Sequence, residues 1–189
     1  MVDPLAWLGL KKQKDAHPQL SAINTAVREL LPDDEPVVLR YIVIVAVLLT
    51  RVAHADGVFL ECELNHLHQL FQHIDRMPPD GITTLCGTLN EHVPNLSEEE
   101  SALCFRELKS LCNADERLQV MRLLAGLATA DGGIVPSEHG TIMAIGAELG
   151  VPEESLVELE DEALAAETIP TPPASLPPPP DSALDPADR

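Results

Sequence analysis

The sequence predicts an all-α protein, a single helical bundle of about seven to nine helices with an internal duplication. Three observations carry that prediction. Apolar residues make up 45% of the 189 residues but aromatics only 3%, so the core must be Leu, Val, Ile and Ala, the usual filling of helix-on-helix packing. Apolar residues recur at helical spacing between recognisable start and stop signals. One phrase also occurs twice, Ala53-His54-Ala55-Asp56-Gly57 and Ala128-Thr129-Ala130-Asp131-Gly132, its aspartates 75 residues apart. Each copy has an apolar residue three positions after its aspartate, Phe59 and Ile134, and a glutamate seven positions after it, Glu63 and Glu138. A helical pattern runs into each copy and another begins beyond it, which makes the phrase a helix-turn-helix corner. Its period exceeds that of a solenoid, and two copies do not make an array.

Taken in order, Asp3-Pro4 is an N-cap with an N1 proline, and Leu5, Trp7, Leu8 and Leu10 with three lysines form a short amphipathic segment. It reads either as a helix packed on the domain or as a weak peripheral contact of residues 3–14 with an anionic membrane. The next helix spans about Pro18 to Leu31, with Leu20, Ile23, Val27, Leu30 and Leu31 on one stripe. Asp34-Glu35-Pro36 opens a long helix to Ala55, apolar nearly all round apart from Arg40 and Arg51, as a central helix must be. Its β-branched run also fits a strand over 37–49, but the start signal and the Gly turn favour helix. After the first corner comes a helix from about Leu60 to Ile74, and Pro78-Pro79 starts another to about His92, weakened by Gly81 and Gly87. Ser97 with Glu100 and Asn113 with Glu116 are capping boxes for helices to Cys112 and Ala130, the latter burying Leu118, Met121, Leu124, Leu127 and Ala128. Beyond the second corner, Pro136 to Leu149 is stopped by Gly150, and Pro152 begins an acidic helix to about Ala166. From Pro170 onward eight of twenty residues are proline and none is aromatic, a solvated polyproline-type tail with Pro-x-x-Pro spacings. The domain organisation is therefore an N-terminal helical extension over 1–33, the helical domain over 34–166, and a disordered proline-rich acidic tail over 167–189.

Charge narrows the partners. The 31 acids and 12 bases leave −19, and residues 131–189 alone hold thirteen acids and one base. Such a chain repels phosphate backbones, so nucleic acid is excluded, and cations or a basic protein surface are favoured. Cys62, Cys86, Cys104 and Cys112 form no CxxC and no dense framework, so they read as buried, reduced thiols of a cytoplasmic protein. The N-terminal lysines follow the apolar residues instead of preceding them, unlike a signal peptide. The most apolar run, Tyr41 to Leu49, falls short of the roughly 20 residues of a membrane span.

The corners resemble the second half of an EF-hand loop, with aspartate, Gly, an apolar residue and glutamate at loop positions 5, 6, 8 and 12. Loop positions 1 and 3 would be Val52 and His54 in one copy and Leu127 and Thr129 in the other, so neither corner is an EF-hand. Two readings then stand side by side. In the first, Gly57 and Gly132 supply a left-handed turn, Asp56 and Asp131 accept N–H bonds from it, and Glu63 and Glu138 bond back from the first turn of the next helix. In the second, the same carboxylates hold a hard divalent cation, Ca²⁺ or Mg²⁺, with Glu61 as a further donor. If the halves pack about a pseudo-two-fold, both corners lie at one end of the bundle and pool their acids.

The pattern apolar-Ala-Asp-Gly-x-apolar-x-x-x-Glu, twice in an all-helical domain and followed by Ile142-Met143-Ala144-Ile145-Gly146-Ala147-Glu148-Leu149-Gly150-Val151, resembles the TerB-like family over about residues 35–160. That family comprises tellurite-resistance TerB proteins and the related N-terminal domain of membrane-anchored J-domain co-chaperones. The resemblance implies a compact helical bundle acting as a binding module in metal or envelope stress. It also implies Asp56, Glu63, Asp131 and Glu138 as divalent-cation ligands. Residues 1–33 and the tail lie outside it, and the chain has no His-Pro-Asp triplet, hence no J-domain.

A competing class is a metalloenzyme. Glu63-x-x-His66 with His73 falls near one helical face, and Glu-x-x-His is half of a di-iron signature, but the second corner offers only Glu138-His139. Zn²⁺ or Fe²⁺ would suit that set, whereas the oxygen-only corners suit Ca²⁺ or Mg²⁺. No phosphate loop, GxSxG or nucleophile constellation is present. The sequence therefore points to a non-enzymatic stress-response or scaffold module. A metal-free adaptor, acting through its acidic face and tail on protein partners, is the third reading.

Overall fold

In a computed structural model of the chain, the structure describes residues 17–55, 57, 61–72, 77–129 and 133–166, without the side chains of Glu61, Cys62, Glu63 and His66. The expected N-terminal amphipathic segment and the proline tail lie outside these residues. Among them are eight α-helices and no strand: α1 (Pro18–Leu30), α2 (Pro36–Ala53), α3 (Glu61–Phe71), α4 (Pro79–His92), α5 (Glu98–Leu111), α6 (Ala114–Ala128), α7 (Pro136–Leu149) and α8 (Glu153–Ala166). A single 3₁₀ turn, Val93–Asn95, joins α4 to α5. The architecture is all-α, as the composition requires.

The β-branched run of α2 is helical, and its surroundings explain why. Every residue from Tyr41 to Thr50 is buried, and α2 packs against α1, α6, α7, α5, α4 and α3. A helix enclosed on all sides gains its stability from apolar burial, which outweighs the few tenths of a kcal/mol that valine and isoleucine lose in helix propensity. The buried Thr50 hydroxyl donates to the Ala46 carbonyl at 2.8 Å, so it adds no unsatisfied group. By length and composition α2 is apolar enough to cross a membrane, but 72% of it is buried inside the bundle, which marks it as the core helix.

The duplication shows in the packing. The corner-bearing units are α2–α3 and α6–α7. Helix α2 lies against α6, and each of the two also meets the helix following the other's corner, α2 on α7 and α6 on α3. Helix α1 packs on α4 and α2, placing Leu20, Ile23 and Val27 in the same core. Leu118, expected in the buried stripe of α6, is only half-buried against that core.

Both capping boxes form. Ser97 and Asn113 accept from the N–H groups of Glu100 and Glu116, whose carboxylates accept in return from the Ser97 and Asn113 N–H groups at 2.9 and 2.6 Å. Glu100 does more than cap its own helix. Its second oxygen accepts from the N–H groups of Gln19 and Leu20 at 2.9 and 3.2 Å, the orphan donors of the first turn of α1. One buried carboxylate therefore caps two helices. Burial pushes the Glu100 carboxyl up, but the N–H and O–H donors outweigh it and hold it below the ordinary carboxylate value.

Candidate functional site

The first corner begins where α2 unwinds. The Ala55 N–H donates to Val52 and the Gly57 N–H to His54, both at 3.0 Å, and Gly57 takes φ 81°, a left-handed conformation that glycine adopts without penalty. His54 Nε2 lies 2.9 Å from Asn90 Oδ1 on α4, so the side chain at the false EF-hand position 3 is hydrogen-bonded to a neighbouring helix. Asp56 and His73 lie outside the described residues. Glu63 and His66 have backbone positions on α3 but undescribed side chains. His68 does lie among them, with Gln72 at 3.1 Å and Thr83 at 3.5 Å from its two ring nitrogens.

The second corner starts at Thr129, which is buried and donates its hydroxyl to the Gly126 carbonyl at 3.1 Å. Asp131 and Gly132 lie outside the described residues. The next glycine, Gly133, has φ 150°. Glu138 falls in the first turn of α7, 6% exposed, and accepts from the Val135 N–H at 2.9 Å. This is the back-bond expected of a first-turn glutamate. It fixes one oxygen at the helix N-terminus, where the dipole favours negative charge.

The ends of the two units share a surface. A cleft of about 540 Å³ is lined by Arg51 and Ala55 from the end of α2, by Phe105 of α5, and by Pro136, Ser137 and Thr141 of α7. Ala55 precedes Asp56 directly and Ser137 precedes Glu138. A second cleft of about 480 Å³ opens on the other side of Arg51, between His54, Gly57, Val93 and Ser101. The Arg51 guanidinium lies 5.6 Å from the centroid of the Phe105 ring, in cation–π range. The equivalent position in the second copy is Gly126, so this cation belongs to one corner only.

Beside α7, His139 Nδ1 meets Glu160 Oε2 of α8 at 2.7 Å. Glu160 is 8% exposed, and its other oxygen is buried without a partner. Sequence reasoning assigned neither this pair nor the Arg51–Phe105 stack a role, because both join residues of different helices with no shared motif. Among the described residues no three His, Cys, Asp or Glu side chains converge as a metal-binding group.

The thiols do not supply a nucleophile among the described residues. Cys86, Cys104 and Cys112 are free and buried, and burial pushes them up to about 11, 12 and 12. At neutral pH they are thiols and not thiolates.

No curated protein and no solved structure matches the chain. A family model does, over residues 43–161, which takes in both corners and every helix from α3 to α7. With two helix-corner-helix units crossed about a buried central helix and the matching acids at each corner, the chain belongs to the tellurite resistance protein TerB family.

Proposed function

We propose that the chain is a non-enzymatic binding module of a tellurite, metal or envelope stress response in the cytoplasm. In this reading it coordinates Ca²⁺ or Mg²⁺ with Asp56, Glu63, Asp131 and Glu138 and acts on a protein partner. The observation that supports it is the shared cleft: Ala55 before one corner and Ser137 beyond the other border the same space. Carboxylates pooled from the two corners would supply the oxygen-donor chemistry that a hard divalent cation requires.

The test is a thermal melt of the full chain in chelator and then with Ca²⁺, Mg²⁺, Mn²⁺ or Zn²⁺ added separately. A cation bound only by the folded state at a hundred times its Kd stabilises by about 2.7 kcal/mol. For a domain of this size that raises the Tm by roughly 5–10 °C. The rise with Ca²⁺ or Mg²⁺ should vanish in the double variant Asp56→Asn, Asp131→Asn, with its far-UV CD spectrum unchanged. A rise with Zn²⁺ alone would transfer the site to Glu63, His66 and His73. No rise with any ion would leave the corners as helix caps and overturn the cation reading.

A further inference from the structure

The large apolar side chains left exposed among the described residues are Val135, Val157 and Leu164. They gather along one line of the molecule, the seam where α8 lies against α7. We propose that this seam is where the protein partner docks, and that the partner presents a basic amphipathic helix to it. The inference rests on the protein-partner part of the function proposed above and is independent of the cation part.

Two contacts set the register of the seam. The Leu156 side chain lies where a Cβ on Gly146 would fall, and Glu160 Oε2 meets His139 Nδ1 at 2.7 Å. Moving back along α7 therefore moves forward along α8, so the two helices run antiparallel. One turn beyond the His139–Glu160 pair stand Val135, whose carbonyl accepts from the His139 N–H, and Leu164 on α8. Val157 lies on the other side of Glu160, seven residues from Leu164 and on the same face of α8. The apolar line from Val157 to Leu164 is about 10 Å long at 1.5 Å per helical residue. His139 and Glu160 sit in its middle. The His139 side chain is half-exposed, while Glu160 is buried and keeps one carboxylate oxygen without a donor.

Charge selects the partner. Residues 133–166 contain no Lys or Arg, so α7 and α8 offer carboxylates alone. Glu153, Glu154 and Asp161 are exposed and stand three or four residues from Val157 or Leu164, flanking the apolar line. A line of that kind suits a helix with apolar anchors at i and i+7 and Lys or Arg beside them. A cation laid over His139 also approaches the Glu160 carboxylate, which the bundle leaves short of one donor. A second copy of the chain fits less well, because a two-fold pair brings the same acids face to face. Anionic lipid is repelled on the same ground. Two turns of anchors make a small interface, of the transient kind.

The experiment titrates the full chain into a fluorescein-labelled Leu/Lys peptide of about 15 residues, apolar at i, i+3, i+4 and i+7, and follows its anisotropy. The expected result is saturable binding that the double variant Val157→Ser, Leu164→Ser weakens at least about tenfold. Both positions are exposed, so the substitutions leave the core untouched. Two charge reversals separate the seam from net charge. Asp161→Lys should weaken binding at least about fivefold. Glu148→Lys makes the same change on the side of α7 turned away from α8 and should stay within about twofold. No binding, indifference to the Val157 and Leu164 substitutions, or equal losses from the two reversals would overturn the proposal. Those outcomes concern this seam alone and leave the protein-partner reading standing. That reading falls on a separate result, photo-crosslinking of the chain in cells that recovers no protein adduct. A dimer in sedimentation equilibrium that the double variant dissolves would also overturn the proposal, since it assigns the seam to a second copy.

Discussion

Replacing Glu100 by Ala should be among the most destabilising single changes in the bundle, although the residue is a polar one near a helix start. The structure sets the size. Glu100 accepts four hydrogen bonds, from Gln19, Leu20 and both donors of Ser97. Losing a helix cap costs about 1 kcal/mol: α1 loses the acceptor of its first-turn N–H groups, and α5 loses the Glu100 half of its capping box while Ser97 still accepts from the N–H of residue 100. The Leu20 N–H is also buried, and leaving a buried donor unsatisfied costs about 1–3 kcal/mol. The sum is about 3–4 kcal/mol, a large share of a typical stability of about 5–15 kcal/mol. Glu100→Gln keeps one accepting oxygen and must choose between α1 and α5, so it should cost about half as much.

The measurement is urea unfolding of the full chain, in which about 3–4 kcal/mol moves the midpoint by about 1–2 M. The pH dependence carries a sign. Glu100 is held below its ordinary value of 4.5, so the unfolded chain binds its proton more readily than the folded one. Its stabilisation is therefore complete above pH 4.5 and is lost as pH falls through the lower folded value. The gap between wild type and Glu100→Gln should be constant from pH 6 to 8 and narrow below pH 4.5. A change under about 0.5 kcal/mol, or a gap that widens in acid, would refute the double-cap argument.

Two further predictions test the packing of α7 on α8. A Cβ on Gly146 would lie 2.3 Å from Leu156 Cδ1, and Leu156 is itself buried, so Gly146→Ala should cost about 1–2 kcal/mol despite alanine's better helix propensity. In the Leu156→Ala background, urea unfolding should show the same substitution turning neutral or favourable. His139→Ala removes the only partner of the buried Glu160 carboxylate found among the described residues, at a cost of about 1–2 kcal/mol. Adding Glu160→Met should recover most of that midpoint in thermal melts, because it removes the stranded charge.

The frame of the molecule was legible because its signals are local. Pro36, Pro79 and Pro136 begin helices where proline's fixed φ is preset for them, and Gly150 ends one at φ 72°. The capping boxes are contacts between residues three apart, which a sequence displays directly. The contacts that tie helices together were not legible. Glu100 reaches Gln19 and Leu20 some 80 residues away, and Arg51 finds Phe105 and Glu160 finds His139 only after the helices have packed. Of the candidate cation ligands, Glu138 is the one whose side chain falls among the described residues. What the sequence displayed for it was its place in a first turn, and the Val135 bond follows from that.

Cap and ligand make different demands on Glu138, and the difference separates the two readings of the corners. A cap needs an oxygen that accepts from the Val135 N–H, and a neutral amide oxygen supplies it. A ligand needs negative charge, because it must hold a cation close to the N-terminal end of α7, where the helix dipole repels one. Glu138→Gln should therefore leave stability in chelator within about 1 kcal/mol of wild type while weakening Ca²⁺- or Mg²⁺-dependent stabilisation. Glu138→Ala should lower both, since it strands the N–H as well as removing the charge. Thermal melts of the two variants, each with and without cation, give the four values needed. If Gln and Ala lose the same stability in chelator, charge and not the hydrogen bond is what the cap supplies. If Gln keeps the full cation response, Glu138 is a cap and the ligands must lie among the other acids of the corners.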